Sequence, residues 1–205
     1  MQKVDNPKNY GIFSTDEKGY ATALVEKPQE FIWDLANISF YKLNSEIFDI
    51  VQNLKSSPRW EIEIMDWISI FMQKHPLRLI EWSFIDIWSP WHILDANSIL
   101  LKELTSSDIK WEAEEWVVIK WNIILEEWAI LKSGTYIEWN CYFGAGSIIG
   151  PNAYIRGNTS VWVGSKVWFS VEMKNSSIGD NTKVPHLSYV WDSVVGNNVN
   201  LWGWF

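Results

Sequence analysis

From about residue 113 the chain repeats every six residues. A large apolar side chain stands at Ile119, Leu125, Leu131, Ile137, Phe143, Ile149, Ile155, Val161, Val167 and Met173. One residue is then dropped, and the series resumes at Ile178, Val184 and Val190; after a second drop it continues at Val195 and Leu201. Four residues after each of these comes a small or β-branched residue: Ile123, Ala129, Thr135, Cys141, Ser147, Ala153, Thr159, Ser165, Val171, Ser177, Thr182, Ser188, Val194 and Val199. Phe205, the last such position, breaks the rule. A period of six suits neither an α-helix nor a flat strand. It suits a parallel β-helix in which each unit is one short strand plus a corner and three units close a triangular turn. The large residue fills the interior, the small one packs where the walls converge, and stacked coils share one core. A β-sandwich would instead need turn signals every ~8–12 residues.

The first half obeys other periods and reads as mixed α/β over residues 1–105. "YATALVEKP" (20–28), "ISFYKLN" (38–44) and "LRLIEWSF" (77–84) are strand candidates. "NSEIFDIVQNLK" opens with a capping Asn44 or Ser45 and spaces Ile47, Phe48, Ile50, Val51 and Leu54 as a helix does. "EIMDWISIFMQK" repeats this with Ile64, Trp67, Ile68, Phe71 and Met72, and "SPWHILDANSILLKEL" places Pro90 in the first turn of a third helix. The polar stretch "TSSDIKWEAEE" (105–115) is expected to link two domains, 1–105 and 106–205.

Composition narrows the function classes. The 205 residues carry a formal charge of −8, from 25 acidic and 17 basic side chains. That opposes a nucleic-acid surface, which needs clustered Lys and Arg, while leaving room for a local phosphate pocket. Cys141 is the only cysteine, so neither an internal disulfide nor a cysteine metal cluster is expected. No apolar run approaches the ~20 residues of a membrane span, and "MQKVDNPKNYG" lacks a signal-peptide core. A cytoplasmic protein without membrane partners is expected.

The chain holds 16 tryptophans against 11 glycines. Trp162, Trp168, Trp191 and Trp202 each follow an inward residue, where Ile149-Gly150 and Ile178-Gly179 place glycine; Trp121 and Trp139 share a register with Gly157. Corners favour glycine, because positive φ and close backbone approach exclude large side chains. UGA codons read as glycine in some bacterial lineages, but translated as tryptophan, would give this alternation. A tryptophan-rich surface is the other reading, and no function is assigned to a tryptophan.

The repeat with "SVEMKNSSIGDNTKVPHLSYVWDSVVGNNVNLWG" resembles the acetyltransferase domain of the bifunctional N-acetylglucosamine-1-phosphate uridyltransferase/glucosamine-1-phosphate acetyltransferase family. "NPKNYGIF", "VEKP", "LANISFYKLNSEIF", "EIEIMDWI" and "FIDIWSPWHILDAN" resemble the latter part of a sugar-1-phosphate nucleotidyltransferase domain. The resemblance implies a partial, Rossmann-like α/β nucleotidyltransferase followed by a left-handed parallel β-helix. It also implies a homotrimer with sites between subunits, sugar phosphate and nucleotide as small-molecule partners, Mg²⁺, and acetyl-CoA as co-substrate. The glycine-rich nucleotide signature and first metal-binding aspartate of such enzymes are absent, as are the later coils that hold acetyl-CoA. The chain is therefore expected to be a fragment, inactive alone in both reactions.

The resemblance also implies roles. His186 would be the base that takes the proton of the acceptor amine, a task suited to a group with a reference pKa of about 6.5. Arg156 and Lys174, eighteen residues apart and so one coil apart, would grip the sugar phosphate. Tyr189 and Asn200 would hold the sugar and its amine. In the first half, Lys27 would meet the sugar phosphate, Glu26 the sugar hydroxyls and Asn37 the sugar or its acetamido group. Gly11 would let the backbone approach, and Asp86 would offer a hard oxygen to Mg²⁺. His75 and His92 match no motif and read as structural. The implied product is UDP-N-acetylglucosamine for the cell wall. Two rivals stay open: a nucleotidyltransferase for another sugar 1-phosphate, such as glucose 1-phosphate with dTTP or UTP, whose coil is regulatory; and a non-catalytic trimerisation scaffold.

Overall fold

Backbone pairing shows how the six-residue period becomes a tube. The computed structural model describes residues 1–54 and 64–202, so Phe205 lies outside the described residues. Contacts divide the chain into two compact units, Met1–Phe84 and Ile85–Phe205.

In the second unit three parallel sheets form the walls of a β-helix of about five turns. The first wall stacks Asp108–Ile109, Ile123–Leu125, Cys141–Phe143, Thr159–Val161, Ser177–Ile178 and Val194–Val195. The second stacks Glu112–Ala113, Ile130–Leu131, Ile148–Ile149, Lys166–Val167 and Lys183–Val184. The third stacks Val118–Ile119, Tyr136–Ile137, Tyr154–Arg156, Glu172–Lys174 and Tyr189–Trp191. Register equals coil length: Cys141 pairs with Thr159, eighteen residues on. Ser160 pairs with Ser177 and Ser177 with Val194, each seventeen on. Both dropped residues therefore fall at the corner from the third wall to the first, and every later side chain keeps its facing.

The inward series is the core. Leu125, Leu131, Ile137, Phe143, Ile149, Ile155, Val161, Met173, Ile178 and Val184 are fully buried, with Ile119, Val195 and Leu201 packed at the ends. The small positions from Ile123 to Thr182 are buried with them, and their hydroxyls tie coils together: Thr182 Oγ1 donates to the Gly196 carbonyl at 2.8 Å and Ser165 Oγ to the Gly179 carbonyl at 2.6 Å.

Residues 105–115 are not the expected linker. Asp108–Ile109 and Glu112–Ala113 pair with the next coil, and the exposed Asp108, Lys110 and Glu112 make it a polar capping coil, which an end turn needs. Helix Pro90–Lys102 lies against the first wall. Asn122 Nδ2 donates to the Leu104 carbonyl at 2.9 Å and Asn140 Nδ2 to Leu101 at 2.7 Å. Asn97 and Asn158 donate to the Asn158 carbonyl and Ser98 Oγ, both at 2.8 Å. Three asparagines spaced eighteen apart thus clasp the helix.

The first unit is a four-stranded antiparallel sheet with two helices. Strands β1 (Gln2–Lys3), β2 (Gly11–Thr15), β3 (Ala21–Glu26) and β4 (Leu35–Ala36) lie in the order β1-β4-β2-β3. Ile12 and Phe13 on β2 are buried, as are Ile68 and Phe71 of helix α2 (Ile64–Lys74). Helix α1 (Glu46–Gln52) packs on α2, and Asn44 Oδ1 accepts the Glu46 N–H at 3.1 Å. The strands expected at 38–44 and 77–84 are absent. Stretch 77–84 meets the start of β3 only briefly, with Arg78 bridged to Tyr20 and the Ala21 N–H donating to the Leu77 carbonyl at 2.8 Å, and no ladder continues from there. His75 Nε2 lies 2.9 Å from Glu46 Oε2, and His92 Nδ1 accepts the Trp88 N–H at 3.1 Å.

Candidate functional site

The third wall carries three of the candidate residues of the second unit, Arg156, Lys174 and Tyr189. Side chains that alternate out of the wall stack coil on coil, and Arg156 pairs in register with Lys174. Arg156 Nε donates to Glu172 Oε1 at 2.8 Å, and its Nη2 lies 2.6 Å from the same oxygen. Nη2 also donates to the Tyr189 hydroxyl at 3.1 Å. The guanidinium lies 5.8 Å from the Tyr154 ring and 5.9 Å from that of Tyr189, within cation–π range. Its pKa is raised, chiefly by the Glu172 hydrogen bond. Lys174 Nζ stands 3.7 Å from Asp192 Oδ2, and Asn175 Nδ2 donates to Asp192 Oδ1 at 2.8 Å. The Tyr154 hydroxyl donates to Glu138 at 2.6 Å, which raises its pKa.

Arg156, Lys174 and Tyr189 therefore share one wall. His186 is not on a strand but in the exposed turn between Val184 and Tyr189, at the corner of the second and third walls. Pro185 and the left-handed Leu187 (φ 57°) bend the chain there. Asn200 belongs to the second wall, bridged to Lys183. Cys141 is no rival nucleophile: burial pushes its thiol up to about 12.

The first unit gathers four of its predicted residues around one end of β2. Gly11 faces Glu26 across the hairpin. A Cβ on Gly11 would come 2.7 Å from Met65 Cε and 2.9 Å from Glu26 Oε2, so a larger residue would push these two side-chain ends aside. The Lys27 N–H donates to the Tyr10 carbonyl at 2.9 Å, and the Asn37 N–H to Gly11 at 2.7 Å. Asn37 Oδ1 accepts from the Tyr41 hydroxyl at 2.7 Å and from the Ser39 N–H at 3.0 Å, which fixes the amide's direction. Burial raises the Tyr41 pKa, so it stays a donor. Asn37 and Tyr41 border a cavity of about 250 Å³ with Phe13, Leu77 and Arg78. Tyr41 and Met65 were not singled out in the sequence, because neither belongs to a motif; the four-residue spacing of Asn37 and Tyr41 was the available signal. Asp86 lies half-buried in irregular chain of the second unit. Among the described residues no three carboxylate, imidazole or thiol groups cluster as a metal cage. Asp86 fits Mg²⁺ only as one oxygen donor beside substrate phosphate and water.

Comparison with known proteins gives these groups their setting. The sequence pattern described as Nucleotidyl transferase matches residues 1–103, half of the chain. The chain belongs to the nucleotidyl transferase family. It is 42% identical over 200 residues to a bifunctional sugar-1-phosphate nucleotidylyltransferase/acetyltransferase of Sulfurisphaera tokodaii, covering 97% of this chain and 50% of that protein. It is 39% identical over 204 residues to a bifunctional protein GlmU of Methanocaldococcus jannaschii, covering 98% and 49%. A low-salt glycan biosynthesis nucleotidyltransferase, Agl11, of Haloferax volcanii is 34% identical over 106 residues, half of this chain and 30% of the other. The chain thus spans about half the length of the first two relatives, and it shares the coil with them as well as the nucleotidyl transferase part. No described helix is long and apolar enough to cross a membrane.

Proposed function

We propose that this chain is part of a bifunctional enzyme of UDP-N-acetylglucosamine synthesis. It would acetylate glucosamine 1-phosphate with acetyl-CoA and transfer a uridylyl group from UTP to N-acetylglucosamine 1-phosphate. The observation that carries the reading is the stacking of Arg156, Lys174 and Tyr189 on one wall, with His186 on the adjoining corner. Arg156 spends Nε and Nη2 on Glu172 and Tyr189. Its Nη1 donors have no partner among the described residues and remain for a phosphate oxygen. Lys174, one coil on, adds a second positive charge. The substrate amine then attacks the thioester carbonyl, its proton passes to the His186 ring, and as the C–S bond breaks that proton is returned to the departing sulfur, releasing the thiol of coenzyme A. Tyr189 and Asn200 hold the sugar and its amine. Because His186 and Asn200 stand at or beyond the corner, a groove between copies in a homotrimer would complete the site.

For nucleotidyl transfer, Lys27 binds the sugar phosphate, Glu26 the sugar hydroxyls and Asn37 the acetamido group, with Gly11 as the open floor. Asp86 would hold Mg²⁺, which neutralises phosphate charge as pyrophosphate leaves. The convergence of Gly11, Glu26, Lys27 and Asn37 on one strand end supports this half.

The test is release of free thiol from acetyl-CoA by the complete gene product with glucosamine 1-phosphate. Loss of release in His186→Ala, with binding of glucosamine 1-phosphate weakened in Arg156→Ala, supports the proposal. Turnover that survives His186→Ala refutes it.

A further inference from the structure

The corners of the coil form two ladders of left-handed residues. Between the first and second walls these are Trp128, Gly146, Gly164, Asn181 and Asn198, with φ from 53° to 68°. Between the second and third they are Trp116, Gly134, Asn152, Ser170 and Leu187, with φ from 52° to 76°. The coil imposes this conformation. The N–H at the rung donates to a carbonyl one coil earlier, Gly146 to Glu127 at 3.0 Å, Gly164 to Ala145 at 2.9 Å and Asn181 to Val163 at 2.8 Å. Glycine and asparagine accept such a φ; a bulky side chain is strained by its Cβ. Trp116 is 80% exposed and Trp128 64%, so burial returns little for that strain.

A second register points the same way on the first wall. Gly144, Trp162, Gly179 and Gly196 stand in one file there, each directly after an inward residue. A Cβ built on Gly144 would come 2.8 Å from the Trp162 backbone carbon, and one on Gly179 2.6 Å from that of Gly196. A side chain there meets the backbone of the next coil, and φ plays no part at those two glycines. Trp168 and Trp202 hold the same place on the second wall, in file with Gly150; Trp191 stands in file with Arg156 and Lys174, where side chains are accommodated.

We propose that the codons at Trp116, Trp128, Trp162, Trp168 and Trp202 are UGA, and that the ribosomes of the source organism insert glycine at each. Trp121 and Trp139 are not included. They were expected to share the strained corner with Gly157, yet their φ lies outside the left-handed region and their rings stack at 5.8 Å.

Reading the gene tests this first: UGA at all five codons is expected, and UGG at Trp116 or Trp128 overturns the proposal. Mass measurement of the protein from its own cells tests the insertion. Tryptic peptides 111–120 and 121–132 each carry one ladder tryptophan. Each should be lighter by at least ~129 Da, the residue difference for a glycine without a side chain. Peptides at the tryptophan mass overturn it. In recombinant protein, Trp116→Gly with Trp128→Gly should melt about 2–8 °C above Trp116→Ala with Trp128→Ala. Equal melting would refute the ladder argument.

Discussion

Leu187 occupies the same ladder rung as Trp116, one residue after the candidate base, so its cost can be worked out. Its φ of 57° places Cβ against the chain, and its side chain is 73% exposed. The left-handed penalty for a residue with a Cβ is about 1–2 kcal/mol. Glycine avoids it but gives back about 0.5–1 kcal/mol through its freer unfolded chain. Leu187→Ala keeps the strain and loses what little packing the leucine makes. Comparing Leu187→Gly with Leu187→Ala therefore isolates the backbone, and the glycine variant should be the more stable by about 0.5–1 kcal/mol. For a chain of this size that is a rise of about 1–4 °C in melting temperature, read by far-ultraviolet circular dichroism. Strain kept beside a reacting group suggests a second readout: in the complete gene product Leu187→Gly should slow acetyl transfer while raising stability. A glycine variant no more stable than the alanine variant would show that the corner imposes no penalty, and the reasoning would fail.

Other consequences concern the core and its edges. Ser147 Oγ is buried without a hydrogen-bond partner among the described residues, whereas Ser165 Oγ donates to Gly179 and accepts from the Thr182 N–H at 2.9 Å. Ser147→Ala should be neutral or stabilising by up to about 1 kcal/mol and Ser165→Ala should cost about 1–3 kcal/mol, as denaturant titration would show. The Lys132 ammonium, then the Ser133 N–H, hold the Glu114 carboxyl below its ordinary value of 4.5. A depressed carboxyl stabilises the fold above its unfolded pKa and loses that contribution as the pH falls through the folded one. Melting of the parent should thus fall more steeply below about pH 4.5 than that of Glu114→Gln. Cys141, with its thiol raised to about 12 by burial, should resist a thiol reagent at pH 8 and react fully in guanidinium.

The coil was legible in the sequence because its cause is steric and local. A triangular tube has one inward slot per wall, and Ile137, Phe143 and Ile149 report it directly. Even the two shortened coils could be read, from the interval between Met173 and Ile178. Elements decided by a partner strand were not legible. Residues 38–44 and 77–84 have strand-like alternation but no ladder, while Leu35–Ala36 pairs on both sides. The stacking of Arg156 on Lys174 followed from their spacing once a coil was assumed, but spacing could not place His186 in the turn, since corner geometry rests on φ. Nor could it show that Glu172 and Tyr189 already hold the guanidinium. Tryptophan's conflict with the corners was visible as an alternation with glycine. Its sharpest instances, Trp116 and Trp128, were not, because the period marks walls and leaves the rungs of the corners unmarked.

Helix Pro90–Lys102 falls inside the stretch that matches the nucleotidyl transferase family, yet its polar ties run to Asn140 and Asn158 of the coil, and Asn122 holds Leu104 just past its end. Homology and mechanics therefore divide the polypeptide at different places. Anyone separating the two units by truncation would do better to cut ahead of Ile85 than at the family boundary. A coil deprived of that helix would present a row of widowed amides and a bare wall to every other copy in the tube.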